Sequence, residues 1–260
     1  MIKRAVAIFA VAASVTTGAC QKESAPAAAP APVAAPTPAA PPVPAPAPAP
    51  AGPGVIQGTV KLNGKAPEMA MTKRDADPFC AKTPMKDEEV VVGPGGGLAN
   101  VVVRVTEGAS GHYDPPATPA VVDQSACMYR PRVQAIVAGQ QLSIRNSDQT
   151  LHNVHGYKGA STLFNQAEIP GLAPIAKKLT DADQILKFKC DVHPWMTAYV
   201  AVSSHPFFAV TGDDGRFKIT GVPPGKYTLE AWQERYGSKS SEIEVTGDKP
   251  TEVAFTYESR

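Results

Sequence analysis

Three potential metal ligands lie within one seven-residue segment. Cys190, His193 and Met196 occur in Cys190-Asp-Val-His-Pro-Trp-Met196, at the spacing C-x-x-H-x-x-M. A thiolate, an imidazole and a thioether together suit a soft or borderline transition metal. Because each ligand lies within a turn of the next, one short loop can present all three to a single ion. The rest of the chain must therefore fold so as to support this loop.

A further histidine is available in Leu151-His-Asn-Val-His155. Blue-copper sites use two histidines, one cysteine and a weak axial methionine. His152 and His155 are three residues apart, and in a strand this separation puts them on opposite faces, so only one can reach the metal. Both segments resemble the cupredoxins, and amicyanin most closely, which pair an H-N-V-H strand end with a C-x-x-H-P-aromatic-M loop. The resemblance implies one type 1 copper held by His152 and the three loop residues, with His155 a partly exposed strand residue.

The same resemblance assigns supporting roles to three neighbours of the ligands. Asn153 matches the residue that pins the two ligand segments together by hydrogen bonds. Val192 stands where amicyanin carries a proline, so its N–H can bond the thiolate, and we expect a higher reduction potential than that relative's. Pro194, together with Trp195, is expected to form an apolar rim around the edge of His193, the usual exit for the electron.

The first residues are typical of an exported protein. Two basic residues precede the apolar run Ala5–Val15, which is too short to span a bilayer and is typical of a signal peptide. Thr17-Gly-Ala-Cys20 then resembles a bacterial lipobox, which implies a signal peptide over 1–19 and a lipid on Cys20. By analogy, Gln21 favours the outer membrane, so we expect a lipoprotein on the periplasmic face. An ordinary secretory signal, with Cys20 incidental, is the alternative.

A tether follows the lipidation site. Residues 20–53 are mostly Ala and Pro from Ser24 onward. Proline fixes φ and removes backbone donors, so this segment is expected to be extended, disordered and without a core. At about 3.1 Å per residue, such a segment reaches on the order of 90 Å.

The remaining cysteines can be divided between a metal and a disulfide. With Cys20 used for lipid, Cys80, Cys127 and Cys190 are left. In an oxidising compartment two of the three can pair. We expect a Cys80–Cys127 disulfide, with Cys190 protected as a copper thiolate. Placing Cys190 in a disulfide instead would leave His193 and Met196 unexplained.

The chain after the tether is expected to be all-β. Short alternating runs are separated by Gly, Pro, Asn and Asp, and long helical periodicity is missing from the sequence. Phe217 and Ile219 alternate as in a half-buried strand, and so do Tyr227, Leu229 and Ala231. The surrounding D-G-x-F…G-V-P-P-G-x-Y-x-L pattern resembles the carboxypeptidase regulatory-like, or prealbumin-like, β-sandwich.

The order of these patterns predicts a discontinuous domain. The regulatory-like family opens with G-x-V and a second strand, which here are separated from the D-G-x-F hairpin by roughly a hundred residues. We therefore expect residues 54–110 and 205–260 to form that sandwich, with a cupredoxin-like Greek-key sandwich over 111–204 inserted in it or packed on it. The alternative is one enlarged cupredoxin over 54–204. His112 and His205, near the predicted boundaries, are interpreted as surface residues.

The balance of charged residues and the residues next to Cys190 restrict the classes of function that we expect. The full sequence has 25 basic and 24 acidic residues, and removal of the predicted signal peptide takes away two of the basic ones. Because the charges are balanced and the sequence has no basic run, we expect no nucleic-acid partner. A one-electron carrier serving a redox partner such as a cytochrome or a dehydrogenase is the primary hypothesis. Copper storage or delivery, to which Met69, Met71 and Met85 could contribute, and a scaffold or adhesion module that kept a metal loop are alternatives. We expect no enzyme, because Lys189 and Asp191, rather than a histidine, flank the cysteine.

Overall fold

Strands make up most of the regular structure in the part of the chain that the structure describes. The computed structural model describes residues 52–260, so the predicted signal peptide, Cys20 and nearly all of the tether lie outside the described residues. Residues 52–260 form sixteen strands in four sheets, which confirms the all-β prediction. No helix within this range is long and apolar enough to cross a membrane.

The strands are β1 (Gly54–Asn63), β2 (Val102–Glu107), β3 (Ala120–Ser125), β4 (Met128–Arg130), β5 (Val133–Val137), β6 (Gln141–Asn146), β7 (His152–Lys158), β8 (Ser161–Glu168), β9 (Ile175–Lys178), β10 (Gln184–Lys189), β11 (Thr197–Ser203), β12 (Phe208–Val210), β13 (Arg216–Val222), β14 (Gly225–Gln233), β15 (Gly237–Val245) and β16 (Thr251–Glu258). Two single-turn 3-10 helices lie at Cys80–Lys82 and Pro94–Gly96.

Two of the sheets combine the beginning and the end of the described chain. β1 pairs antiparallel with β13 and parallel with β16, while β2 lies between β12 and β14, with β15 beyond. In β14, Tyr227, Leu229 and Ala231 are buried and alternate with more exposed residues, as expected for a strand with one face on a core. They share that core with Val60 and Phe217 of the other sheet. These sheets form the first sandwich.

The strands in between form the second sandwich. One sheet has the order β5-β11-β10-β7-β8 and the other the order β4-β3-β6-β9. Tyr129, Ile144 and Val154 pack with Leu186 and Phe188 between them. The first histidine of the H-N-V-H segment begins β7, and the predicted ligand loop connects β10 to β11. The core of this sandwich therefore places both ligand segments at one of its ends.

An apolar contact and an ion pair join the two sandwiches. Val102 of the first is buried with residues of β5 and β11, and the rings of Tyr199 and Trp232 meet edge to face at 5.0 Å. The guanidinium of Arg132 binds the carboxylate of Glu234 through two hydrogen bonds of 2.6 and 2.8 Å. Both side chains of this pair are buried.

A loop that we call the cap segment (residues 70–88) lies against the second sandwich. It is closed at its base by backbone hydrogen bonds from Thr72 to Met85 and from Asp87 to Ala70. Although it belongs to the stretch 54–110 assigned above to the regulatory-like sandwich, its Cys80 is buried in the core of the second sandwich.

The interpretation of His205 as a surface residue is wrong. Its side chain is 5% exposed and stacks on Phe207, while Tyr113 meets it edge to face. The Nδ1 atom of His205 accepts a hydrogen bond from the N–H of Phe207. His112, in contrast, is largely exposed.

Candidate metal centre

Two backbone segments bring the predicted ligands together. His152 is the first residue of β7 and faces the core with Val154. The loop after β10 is closed by two backbone hydrogen bonds: Cys190 N–H donates to the Met196 carbonyl (3.3 Å) and Met196 N–H donates to the His193 carbonyl (2.9 Å). Turning the loop back on itself directs its side chains toward β7.

The donor atoms converge at a buried point. The Nδ1 atoms of His152 and His193 lie 2.8 Å apart, and Cys190 Sγ lies 3.7 Å from His193 Nδ1. Ligand atoms of all three residues fall within 4.8 Å of one another. Each of the three is at most 2% exposed, and Met196 is fully buried in the same core. The structure thus brings together the two histidines and the cysteine of the predicted set.

A carboxylate holds the far side of each imidazole. His152 Nε2 lies 2.9 Å from Asp148 Oδ2, and His193 Nε2 lies 3.0 Å from Asp77 Oδ2. Thr150 also donates its hydroxyl to Asp77 at 2.7 Å. A ligating histidine commonly donates its second ring N–H to a carboxylate, which fixes the tautomer and the orientation of the ring. Here both rings are held so that their Nδ1 atoms face each other.

The charges of these groups match a cation site. Burial opposes protonation of His152, but hydrogen bonds with Asp148 and Cys190 outweigh it and raise the pKa of this imidazole. For His193 burial dominates and, with the neighbouring His152, lowers the pKa. One proton between the two Nδ1 atoms therefore satisfies both rings, and a metal cation can take its place. The donor set fits a type 1 copper, which needs two imidazoles and one thiolate.

The sulfur of Cys190 is prepared to carry negative charge. Burial alone would raise its pKa, but interactions with His152 and with the backbone at Asn153, His193 and Val192 lower it. Among residues 52–260, Cys190 is the one cysteine outside a disulfide. A buried thiol with a lowered pKa is a ready metal ligand, since the thiolate is the coordinating form.

Asn153 connects the two ligand segments. Its Oδ1 accepts the N–H of Asp191 at 2.7 Å and lies 3.3 Å from Cys190 Sγ. Its Nδ2 donates to Asn165 and to the Asp191 carboxylate. These bonds fix the start of the loop to β7, in the role that the resemblance assigned to this residue.

His155 lies outside the centre. It is on the opposite face of β7 from His152, where its Nδ1 is 3.1 Å from the Asp191 carboxylate. Its ring stacks on Tyr157 at 4.1 Å. The odd separation of the two histidines therefore has the consequence expected for a strand.

The expected exit at the edge of His193 is covered. Its Nε2 edge faces Asp77 and lies 3.7 Å from Cys80 Sγ, so the cap segment lies against the edge where Pro194 and Trp195 were expected to form an apolar rim. Pro194 is exposed, while Trp195 turns inward and donates its indole N–H to the Cys127 carbonyl at 3.0 Å. The edge of His193 is therefore contacted by a long loop from outside the second sandwich, in addition to its neighbours Pro194 and Trp195.

Cys80 and Cys127 form a disulfide, and it lies beside the centre rather than far from it. The amide N–H of each half-cystine donates to one of the two carboxylates that hold the histidines. Sequence reasoning missed Asp77 and Asp148. Asp148 lies four residues before His152, a local signal that could have been noticed, whereas Asp77 lies 116 residues before His193.

A comparison with protein-family models agrees with one of the two resemblances found in the sequence. The model of the carboxypeptidase regulatory-like domain matches residues 193–258, which confirms that resemblance and overlaps the end of the ligand loop. The search of curated proteins found no match.

Several solved structures are similar to part of the chain. A purple cupredoxin from Nitrosopumilus maritimus is 23% identical over 32% of this chain and 99% of its own, with a TM-score of 0.29. Amicyanin from Paracoccus versutus is 24% identical over 39% and 97%, with a TM-score of 0.30. A copper-containing nitrite reductase from Thermus scotoductus is 18% identical over 38% and 25%, with a TM-score of 0.30. The assignment of the site rests on its own donor atoms.

Proposed function

We propose that the chain is a one-electron carrier with a single type 1 copper bound by His152, Cys190 and His193, with Met196 as the weak axial ligand. The observation that carries the proposal is the convergence of two imidazole Nδ1 atoms and one thiol in a buried site. A bound copper would supply a one-electron couple between Cu(I) and Cu(II).

The surrounding residues would keep this site unchanged during electron transfer. Asp148 and Asp77 hold the imidazoles, and Asn153 holds the thiolate segment. Such hydrogen bonds limit the rearrangement that a change of oxidation state would otherwise cause. Because the ligands are buried, water has little access to the ion. A rigid site with buried ligands suits a carrier.

Copper storage or delivery is the second hypothesis, and the burial of the ligands weighs against it. A delivery protein must release its ion, whereas His193 is 2% exposed under the cap segment. Of the methionines considered for soft ligation, Met69 packs against the core of the first sandwich and Met71 is exposed. Neither placement favours a relay of thioether ligands leading to the centre.

The proposed electron carrier is anchored to a membrane. The predicted signal peptide and Cys20 support a lipoprotein on the periplasmic face of a bacterial membrane, where a soluble or membrane-bound redox protein would exchange the electron. We propose no catalytic activity, since Lys189 and Asp191 flank the cysteine and offer no imidazole to a second copper.

Copper titration of the purified protein tests this proposal. One equivalent of Cu(II) should produce an intense visible band from thiolate-to-copper charge transfer. Cys190→Ser should abolish the band, and Asp75→Asn, at an exposed position of the cap segment, should leave it unchanged. Tight Cu(I) binding without a coloured Cu(II) form would favour delivery over electron transfer.

A further inference from the structure

The contacts that hold the two histidines come partly from the cap segment and partly from the second sandwich. The far nitrogen of each histidine is bound by a carboxylate, Asp77 for His193 and Asp148 for His152. Asp77 belongs to the cap segment, whereas Asp148 lies between β6 and β7 of the second sandwich. The two carboxylates therefore come from separate parts of the chain.

Each carboxylate is in turn held by the backbone of one half-cystine. Asp77 Oδ1 accepts the N–H groups of Phe79 (2.7 Å) and Cys80 (3.2 Å). Asp148 accepts the N–H groups of Ala126 (2.8 Å) and Cys127 (2.7 Å). The disulfide links the two backbone segments covalently. A continuous path thus runs from one imidazole, through a carboxylate, the disulfide and the second carboxylate, to the other imidazole.

The backbone at Cys127 is shaped for this arrangement. Ser125 pairs with Met128, so Ala126 and Cys127 are the two central residues of a tight hairpin. Both have a φ of 53°, a left-handed conformation that Asn and Gly favour at such positions and that is unfavourable for other residues. This conformation directs both N–H groups at Asp148, and the bonds to its carboxylate offset the cost.

We propose that the Cys80–Cys127 disulfide is a clamp that holds both histidine ligands in position through Asp77 and Asp148. This inference rests on the proposed copper centre and adds positioning residues to it. The clamp fixes each ring with its Nδ1 atom toward the metal position before any metal binds. It also keeps the cap segment over His193, which closes the centre to water.

The clamp predicts specific losses when it is opened. The double variant Cys80→Ser/Cys127→Ser should bind Cu(II) about 10- to 100-fold more weakly, the range found when groups that orient metal ligands are removed. Asp77→Asn keeps the disulfide and should weaken binding in the same direction, with partial recovery in Asp77→Glu. Asp75→Asn is the matched control from the same segment and should bind copper as the wild type does.

A readout on the metal-free protein separates this inference from the copper centre itself. In wild-type apoprotein the ring N–H protons on the Nε2 atoms of His152 and His193 should be visible by NMR and exchange slowly with water. Opening the clamp should make the His193 proton exchange at least tenfold faster. If the wild type fails to bind Cu(II) with a thiolate band, the copper proposal fails, while the exchange measurement still tests the clamp.

Two measurements on the double serine variant can overturn the proposed clamp. Unchanged copper affinity together with unchanged ring-proton exchange in the double serine variant would show that the disulfide does not position the histidines. Should that variant fail to fold by circular dichroism, Asp77→Asn decides the question, since its disulfide is intact. Wild-type behaviour of Asp77→Asn in both measurements would then contradict the inference.

Discussion

The imidazole of His193 contacts the carboxylate of Asp77, a residue 116 positions earlier in the chain, with 3.0 Å between Nε2 and Oδ2. This bond places the cap segment over the Nε2 side of the ring. A redox partner therefore cannot touch His193 without displacing the cap segment. The centre is thus built from the second sandwich and from a loop that follows the first strand of the other sandwich.

Replacing Val192 tests how the loop backbone sets the reduction potential. The backbone at Val192 helps to stabilise the Cys190 thiolate. Val192→Pro removes the backbone N–H of residue 192. The sulfur of Cys190 should then donate more strongly to Cu(II), and the reduction potential should fall. Voltammetry of the copper-loaded variant measures the change. Val192→Ala keeps the N–H and should match the wild type, whereas a level or raised potential in the proline variant would contradict this account.

Removing the Asn153 side chain should loosen the centre and lower stability. Asn153→Ala loses bonds to Asp191 and to Cys190, and each lost hydrogen bond costs about 0.5–1.5 kcal/mol. Urea unfolding should show a loss of this size, and the thiolate-to-copper band should shift. Asn165→Ala is the control, because exposed Asn165 bonds Asn153, His155 and the Asp191 carboxylate but contacts neither the Cys190 sulfur nor the Asp191 N–H. Equal effects of both variants would argue against a special role for Asn153.

The buried ion pair between the sandwiches should show strong coupling. Arg132→Met leaves the Glu234 carboxylate buried without its main partner, which should cost about 3–5 kcal/mol of unfolding free energy. The double variant Arg132→Met/Glu234→Met removes both charges and should be more stable than Arg132→Met alone. Urea unfolding of the wild type, both single variants and the double variant gives the interaction energy. Additive losses would mean that the pair does not join the sandwiches.

Acid should destabilise the fold partly through His205. Burial lowers the pKa of His205 from its ordinary value of 6.5, and nearby Asp183 only partly opposes this. The unfolded chain therefore binds this proton at a higher pH than the folded chain does. The associated stability is complete above about pH 6.5 and is lost as the pH falls below it.

The variant His205→Asn isolates that contribution. Its side-chain oxygen can still accept the N–H of Phe207 but does not take up a proton. Unfolding free energies at pH 7.5 and 5.5 should therefore differ less in the variant than in the wild type. A difference as large as that of the wild type would assign the acid sensitivity to other groups.

The parts of the centre that could be predicted from the sequence are those that depend on the spacing of residues within a short segment. The spacing of Cys190, His193 and Met196 and the strand periodicity at His152 are short-range features, and the structure brings both histidines to the thiol. Strand alternation likewise predicted the buried faces of β13 and β14. Such patterns follow from backbone geometry and need no knowledge of the tertiary fold.

The contacts that cover the centre could not be predicted in this way. Asp77 has no periodic relationship to His193, and their bond exists only because the cap segment folds onto a different sandwich. His205 is buried against Tyr113 and Phe207, which belong to the core of the first sandwich. In both cases one neighbour comes from a distant part of the chain, and the sequence pattern near His193 and His205 did not indicate it.

An anaerobic redox titration of the copper-loaded protein, followed by visible absorption, tests the central claim most directly. With His152, Cys190 and His193 holding one copper, the thiolate-to-copper band should disappear and return in a single reversible step of one electron per chain. A protein that binds copper without this band, or whose band is lost irreversibly on reduction, would contradict the account.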